Sequence, residues 1–219
     1  MLDSFKKQLS ENNFIFEEIT DEILWVKNFL TKDDLDFVLK IIEESKQEDW
    51  EVEYLSNLKN FCLQKFGRDD VENLVAEGKF EITQNWSDKN LNIKHHEEQN
   101  IFYERLQTMV NNSDPSLILS GLATIQRMQE GVELKSHTDQ HTDPSIRYAT
   151  ILYINEDYQG GELFFPNLDI SLKPNPGDML FFPGDEKHEH GVRHVKEGPI
   201  RYVIVGFIKE KDHYEKNRY

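Results

Sequence analysis

The sequence predicts an α+β architecture, with a helical first half supporting a strand-rich second half. Before about residue 115, apolar residues recur at helical spacing. After it, short β-prone runs alternate with Gly and Pro turn signals. No repeat, low-complexity tract or flexible linker separates the halves. A single domain over 1–219 is therefore expected, with 1–115 mainly helical and 116–210 forming the β core.

Thr31-Lys-Asp-Asp34 opens the first expected helix. Thr31 can cap it, and Asp33 and Asp34 complement the positive end of its dipole. Leu35, Val38, Leu39 and Ile42 follow at i, i+3, i+4 and i+7, one apolar stripe. The stretch 47–96 is mixed, but Leu55, Leu58, Phe61, Cys62 and Phe66 read as helical, with Gly67 as a stop. Ile101, Phe102, Leu106, Met109 and Val110 suggest another helix, ended by Asn111-Asn-Ser-Asp-Pro115. The expected strands are 117–128, 147–155, 161–165, 168–173, 178–182, 190–195 and 200–208. Gly160-Gly161, Pro174-Asn-Pro-Gly177, Pro183-Gly-Asp185 and Gly198-Pro199 punctuate them. Seven or eight strands without helical patterns between them imply a β-sandwich or barrel.

With 25 Lys and Arg against 41 Asp and Glu, the formal net charge is −16. An acidic surface of that size repels phosphate backbones and anionic lipid, so neither a nucleic-acid nor a membrane partner is expected. Cys62 is the only cysteine. An intramolecular disulfide and a cysteine-built zinc site are excluded. No apolar run follows the N-terminal Met-Leu-Asp-Ser-Phe, so no signal peptide is expected. The expectation is a soluble, cytoplasmic protein in a reducing compartment.

Five of the eight histidines lie between 137 and 194. The first group is His137-Thr-Asp139-Gln-His141-Thr-Asp143 and the second is His188-Glu-His190-Gly-Val-Arg-His194. An imidazole and a carboxylate two residues apart on an extended segment point the same way. A further imidazole from a distant strand completes a 2-His-1-carboxylate face. That donor set suits Fe(II) and leaves coordination positions open. The alternative is a set of solvated polar residues on an acidic protein, or a non-catalytic β-sandwich module binding zinc or no metal.

The ordered series from His137-Thr-Asp139 to Arg201-Tyr202 resembles the Fe(II)/2-oxoglutarate-dependent oxygenases, the prolyl 4-hydroxylase-like subgroup in particular. Between those ends it runs through Tyr153-Ile-Asn155, Gly160-Gly-Glu-Leu163, Pro174-Asn-Pro-Gly-Asp178, Phe181-Phe-Pro183 and His190-Gly-Val192. Val26-Lys-Asn-Phe-Leu30 and the helix after it resemble that group's entry strand and first helix. The resemblance implies a double-stranded β-helix (jelly-roll) core with N-terminal helices packed on it. Matching to the family pattern assigns His137, Asp139 and His190 as metal ligands. Of the repeated tripeptide, His141 and Asp143 are then expected at a substrate rim, and His188 beside the site. Arg201 matches the cation that binds the far carboxylate of 2-oxoglutarate. It alternates with Val203, Val205 and Phe207, so it shares an apolar inward face and needs an anionic partner. Tyr153 alternates with Ile151 and Ala149 and can aim its hydroxyl at the same carboxylate.

One position departs from the pattern. Met128 stands where many relatives carry a tyrosine, and a thioether cannot donate a hydrogen bond. Asp139 is present where halogenating relatives carry a small residue, so hydroxylation is expected. The implied cofactors are Fe(II), 2-oxoglutarate as cosubstrate and O2, with ascorbate as reductant. The implied partner is a peptide or protein containing proline, hydroxylated with release of succinate and CO2. Another amino-acid residue or a small molecule is the alternative within the class.

Overall fold

A computed structural model of the chain describes residues 1–52, 62–63, 66–68, 70–79, 90–94 and 101–212. Its helices are α1 (Leu2–Glu11), α2 (Lys32–Glu44), α3 (Val71–Ala76), α4 (Ile101–Ser113) and α5 (Asp139–Thr142). The first-half strands are β1 (Phe16–Glu18), β2 (Leu24–Val26), β3 (Glu51–Val52) and β4 (Asn90–Lys94). The second-half strands are β5 (Leu117–Met128), β6 (Leu134–His137), β7 (Ile146–Tyr153), β8 (Leu163–Phe165), β9 (Ile170–Leu172), β10 (Met179–Pro183), β11 (His190–Val192) and β12 (Arg201–Glu210).

Among the described residues these strands form two antiparallel sheets. The large one has the order β1-β2-β10-β7-β12-β5-β4-β3, and the small one β6-β11-β8-β9. The small sheet faces the large one as the two walls of a jelly roll. The first half thus contributes strands as well as helices, because β1 and β2 extend one edge of the large sheet and β3 and β4 the other.

The central strands of the large sheet carry apolar residues at successive positions, which a sheet buried on both faces requires. Met179 and Phe181 of β10 face the helices, with Leu152, Ile204 and Ile208 from β7 and β12. Leu180, Phe182, Ala149, Ile151, Tyr153 and Val203 face the small sheet. Phe5 and Leu9 of α1 and Phe102, Leu106 and Val110 of α4 cover the helix side at 0–1% exposure. Each such side chain contributes about 1.5–3 kcal/mol when fully buried.

Helix α2 starts as its sequence predicts. Thr31 Oγ1 accepts from Asp34 N at 3.2 Å, and Asp34 Oδ2 accepts from Thr31 N at 2.8 Å. This reciprocal cap is a capping box. Asp34 does more than complement the dipole, because Arg105 of α4 donates to it through both terminal nitrogens at 3.1 Å. Of the expected α2 stripe, Leu35, Val38 and Ile42 pack on the core, joined by Phe37 and Ile41, while Leu39 is 38% exposed.

Helix α1 and strand β6 were not expected. Of the helix expected from Leu55 to Phe66, Leu55, Leu58 and Phe61 lie outside the described residues. Gly67 does act as a stop, with φ +71° and its N–H donating to Leu63 O at 2.9 Å. No helix among the described residues is long and apolar enough to cross a membrane.

Candidate active site

The site begins with the pairing of two short strands. β6 and β11 run antiparallel, and His137 is the direct ladder partner of His190. Directly opposed side chains on one face of a ladder stand close together. Here the imidazole centroids are 4.7 Å apart. Asp139 arrives differently from expectation. It is the first residue of α5, one extended residue beyond the end of β6, so the turn and not the strand aims its carboxylate. Its Oδ1 lies 3.7 Å from His137 Nε2 and 3.9 Å from His190 Nε2.

Backbone carbonyls orient both imidazoles. His137 Nδ1 is 3.0 Å from Lys135 O, and His190 Nδ1 is 3.0 Å from His188 O. A carbonyl only accepts, so each Nδ1 carries the proton and each Nε2 presents its lone pair to Asp139. Phe182 meets the His190 ring edge-on with centroids 4.7 Å apart, and Phe165 lies 5.9 Å away. Gly184 packs beside Asp139; a Cβ there would stand 3.1 Å from Asp139 Cβ and 3.0 Å from Ile146 Cγ2.

Burial shapes the protonation of the three groups. It lowers His190 to about 4. Burial and the neighbouring His190 lower His137 as well. Both imidazoles are therefore neutral, the form that coordinates metals. Burial also raises Asp139 to about 6, with His137 opposing the shift. Asp139 Oδ2 is buried with no hydrogen-bond partner among the described residues. One donor atom from each of the three residues lies within 4.8 Å of the others. Two neutral nitrogens and the Asp139 carboxylate on one side of a point fit a divalent iron with open positions.

A cavity of about 80 Å³ extends inward from this cluster, walled by Ala149, Ile151, Leu163, Val203 and Phe207 and reaching Arg201. Arg201 is 1% exposed. Its Nε donates to Gly161 O at 3.1 Å and its Nη1 to Met128 Sδ at 3.4 Å, a weak acceptor. Its Nη2 is buried without a partner among the described residues, as is Tyr153 Oη. The Arg201 guanidinium carbon lies 5.5 Å from the Tyr153 ring centroid. Burial pushes the Tyr153 phenol up, so it stays protonated and able to donate. A buried cation and a hydroxyl with unmet hydrogen bonds fit a dicarboxylate reaching in from the metal.

The remaining sequence candidates separate. His141 is exposed, with its Nε2 3.9 Å from Glu186. Asp143 turns away to accept from Ser145 N, Ser145 Oγ and Lys209 Nζ at 2.9, 2.6 and 3.0 Å. His188 corrects the expectation of a rim neighbour on the same strand face. The chain from Glu186 to His188 forms a 3₁₀ turn, which points His188 inward at 0% exposure. Its Nδ1 meets Asp185 Oδ1 at 2.7 Å. Phe165, Phe182 and Gly184 were not singled out as site residues, although Phe181-Phe-Pro183-Gly184 carried the signal.

Residues 123–209 match the family model of the 2OG-Fe(II) oxygenase superfamily. This stretch holds every residue of the cluster. Prolyl 3-hydroxylase 2 of Homo sapiens is 33% identical over 76 residues, covering 32% of this chain and 11% of that protein. The chain therefore matches only about a tenth of the length of that curated relative. A Pseudomonas putida prolyl-4-hydroxylase aligns with TM-score 0.55 at 14% identity, over 96% of this chain and all of the other. A Trichoplax adhaerens prolyl hydroxylase, solved with a hypoxia inducible factor peptide fragment, aligns with TM-score 0.57 at 15% identity, over 99% and 94% of the two chains. At these identities the two structures share the fold.

Proposed function

We propose that this chain is an Fe(II)- and 2-oxoglutarate-dependent dioxygenase that hydroxylates proline in a peptide or protein, at C4. The observation that carries the reading is the three-residue cluster facing a mainly apolar cavity that ends in a buried, incompletely bonded arginine. His137, Asp139 and His190 would hold the iron. Arg201 and Tyr153 would hold the far carboxylate of 2-oxoglutarate. Bound there, iron and cosubstrate supply oxidation by O2, giving a hydroxylated product, succinate and CO2.

The protein's own contribution is position and dryness. The Lys135 and His188 carbonyls keep both Nε2 lone pairs aimed inward. The walls of Ala149, Ile151, Leu163 and Val203 exclude water from the reacting centre. No side chain is needed to move a proton, so the reading includes no general base.

The printed title of the Trichoplax adhaerens neighbour supports proline in a peptide, and that of the Pseudomonas putida prolyl-4-hydroxylase supports C4. The curated match to a prolyl 3-hydroxylase favours C3 as the second reading. Mass spectrometry of proline-containing peptides incubated with Fe(II), 2-oxoglutarate and ascorbate tests the claim. One oxygen gained on proline, matched by succinate, is the expected result, and amino-acid analysis against 3- and 4-hydroxyproline standards assigns the carbon. Succinate formed with oxygen on a non-proline residue, or with free amino acids alone, would remove proline and keep the oxygenase.

A further inference from the structure

β10 runs into a short loop, 184–189, that ends at His190. This loop touches two of the three residues of the metal cluster. Gly184 packs beside Asp139, and its carbonyl accepts from N of Gln140, the next residue of α5, at 3.1 Å. At the other end of the loop the His188 carbonyl lies 3.0 Å from His190 Nδ1 and fixes which nitrogen faces the cluster. The place of this loop therefore sets the aim of both side chains.

The loop is held by the His188 ring, which is 0% exposed. Asp185 Oδ1 accepts from His188 N at 3.1 Å and meets His188 Nδ1 at 2.7 Å. The far side of the ring faces the N-terminal half of the chain. His188 Nε2 lies 3.6 Å from Glu22 Oε2, and Lys187 Nζ pairs with the same oxygen. Glu22 belongs to the turn between β1 and β2, which is itself fixed. Thr20 Oγ1 accepts from Glu22 N at 3.1 Å and from Ile23 N at 3.0 Å, and Ile23 is 0% exposed in the core cluster that contains Phe165 and Phe182. The exposed Lys187 pair contributes little by itself. A ring that merely filled space would be met by phenylalanine, with no buried nitrogens between two carboxylates.

We propose that Glu22 and His188 are positioning residues for the metal cluster: the β1–β2 turn grips the His188 ring, and through that ring it holds the loop that aims His190 and Asp139. This rests on the reading of the cluster as a metal site. The test uses the full chain and three measurements that need no turnover. Isothermal titration calorimetry reads Mn(II) affinity. Thermal unfolding reads the metal-free Tm. Imidazole ¹⁵N spectra of the metal-free protein read which nitrogen of His190 carries the proton.

Glu22→Ala should weaken Mn(II) about tenfold, the lower end of the range for partners that orient ligands. It should move the metal-free Tm by no more than about 2 °C, and His190 should become a mixture of tautomers. Glu22→Gln keeps the reach and a polar partner for the ring, so it should bind Mn(II) within about threefold of the unaltered protein. In a His188→Phe background, Glu22→Ala should cost no further affinity, because Glu22 acts through the ring. Equal weakening by Gln and Ala would reduce Glu22 to a charge that attracts the cation and overturn the proposal. Unchanged Mn(II) affinity in Glu22→Ala, additive losses in the double variant, or a drop of many degrees in metal-free Tm would overturn it equally. If His188→Phe does not fold, the two half-exposed Glu22 variants decide the matter. If the unaltered protein does not bind Mn(II), the metal-site reading falls and takes this inference with it.

Discussion

The two faces of the large sheet are built from the same strands yet meet opposite ends. β7, β10 and β12 send alternate side chains to each. On the helix-covered face the buried charge of Asp34 is fully engaged, by the backbone of Thr31 and by both terminal nitrogens of Arg105. Arg127 on that face stacks on Trp50 at 4.2 Å and donates to Gln47, though its Nε has no partner among the described residues. On the inner face Asp139, Tyr153, Tyr158 and Arg201 all keep a buried polar atom unpaired. Leaving such a group unmet costs about 1–3 kcal/mol. The helix-covered face leaves fewer such groups unmet than the inner face, where a ligand would complete them.

The sharpest division is expected from Asp139→Ala. Turnover measured as succinate release should fall by about a thousandfold or more, as for loss of a group acting in one unit. Mn(II) should no longer raise Tm. The metal-free Tm should hold or rise, because an ionised carboxylate without a partner leaves the interior. A drop of many degrees in metal-free Tm would show that the inner face needs no ligand to complete it.

Arg201→Met comes next. The cosubstrate concentration needed for half-maximal rate should rise tens-fold, since removing one partner of a buried charge pair costs about 2–5 kcal/mol. Metal-induced stabilisation should persist, and a rate curve unmoved in 2-oxoglutarate would relocate the anion site.

Asp34→Ala should act in the opposite sense. It removes a helix cap and strands Arg105, so urea unfolding should show a loss of about 2–4 kcal/mol. The rate per folded molecule should not change. Of these variants His141→Ala should matter least, within about 0.5 kcal/mol for an exposed side chain. Its effect on peptide KM reads whether the exposed imidazole touches substrate.

The strands β5, β7, β10 and β12 were legible because long apolar runs end at Gly and Pro turns. The neighbouring β6 was not. Leu134-Lys-Ser-His137 is mostly polar, half-exposed and at a sheet edge, so it carries no apolar alternation. The His137, Asp139 and His190 group could be chosen from the sequence by resemblance, but its geometry could not. Asp139 is aimed by a one-turn helix, and a turn beginning at Asp185 buries His188. Leu39 was misplaced because it lies at the margin of the α2 stripe, whose Leu35, Val38 and Ile42 face the core together with Phe37 and Ile41.

The ladder pairing of His137 with His190 has a consequence for how the small sheet is held. Among the described residues β6 has only β11 as a neighbour, and its side chains are half exposed. A slip of one residue along that ladder would turn His137 to the opposite face and dismantle the cluster. His137 and His190, with Asp139, would hold a metal only in this register, and holding one would fasten β6 to β11. Amide hydrogens of Leu134–His137 should exchange markedly more slowly in the metal-loaded protein, while those of β10 and β12, closed on both sides, should hardly respond.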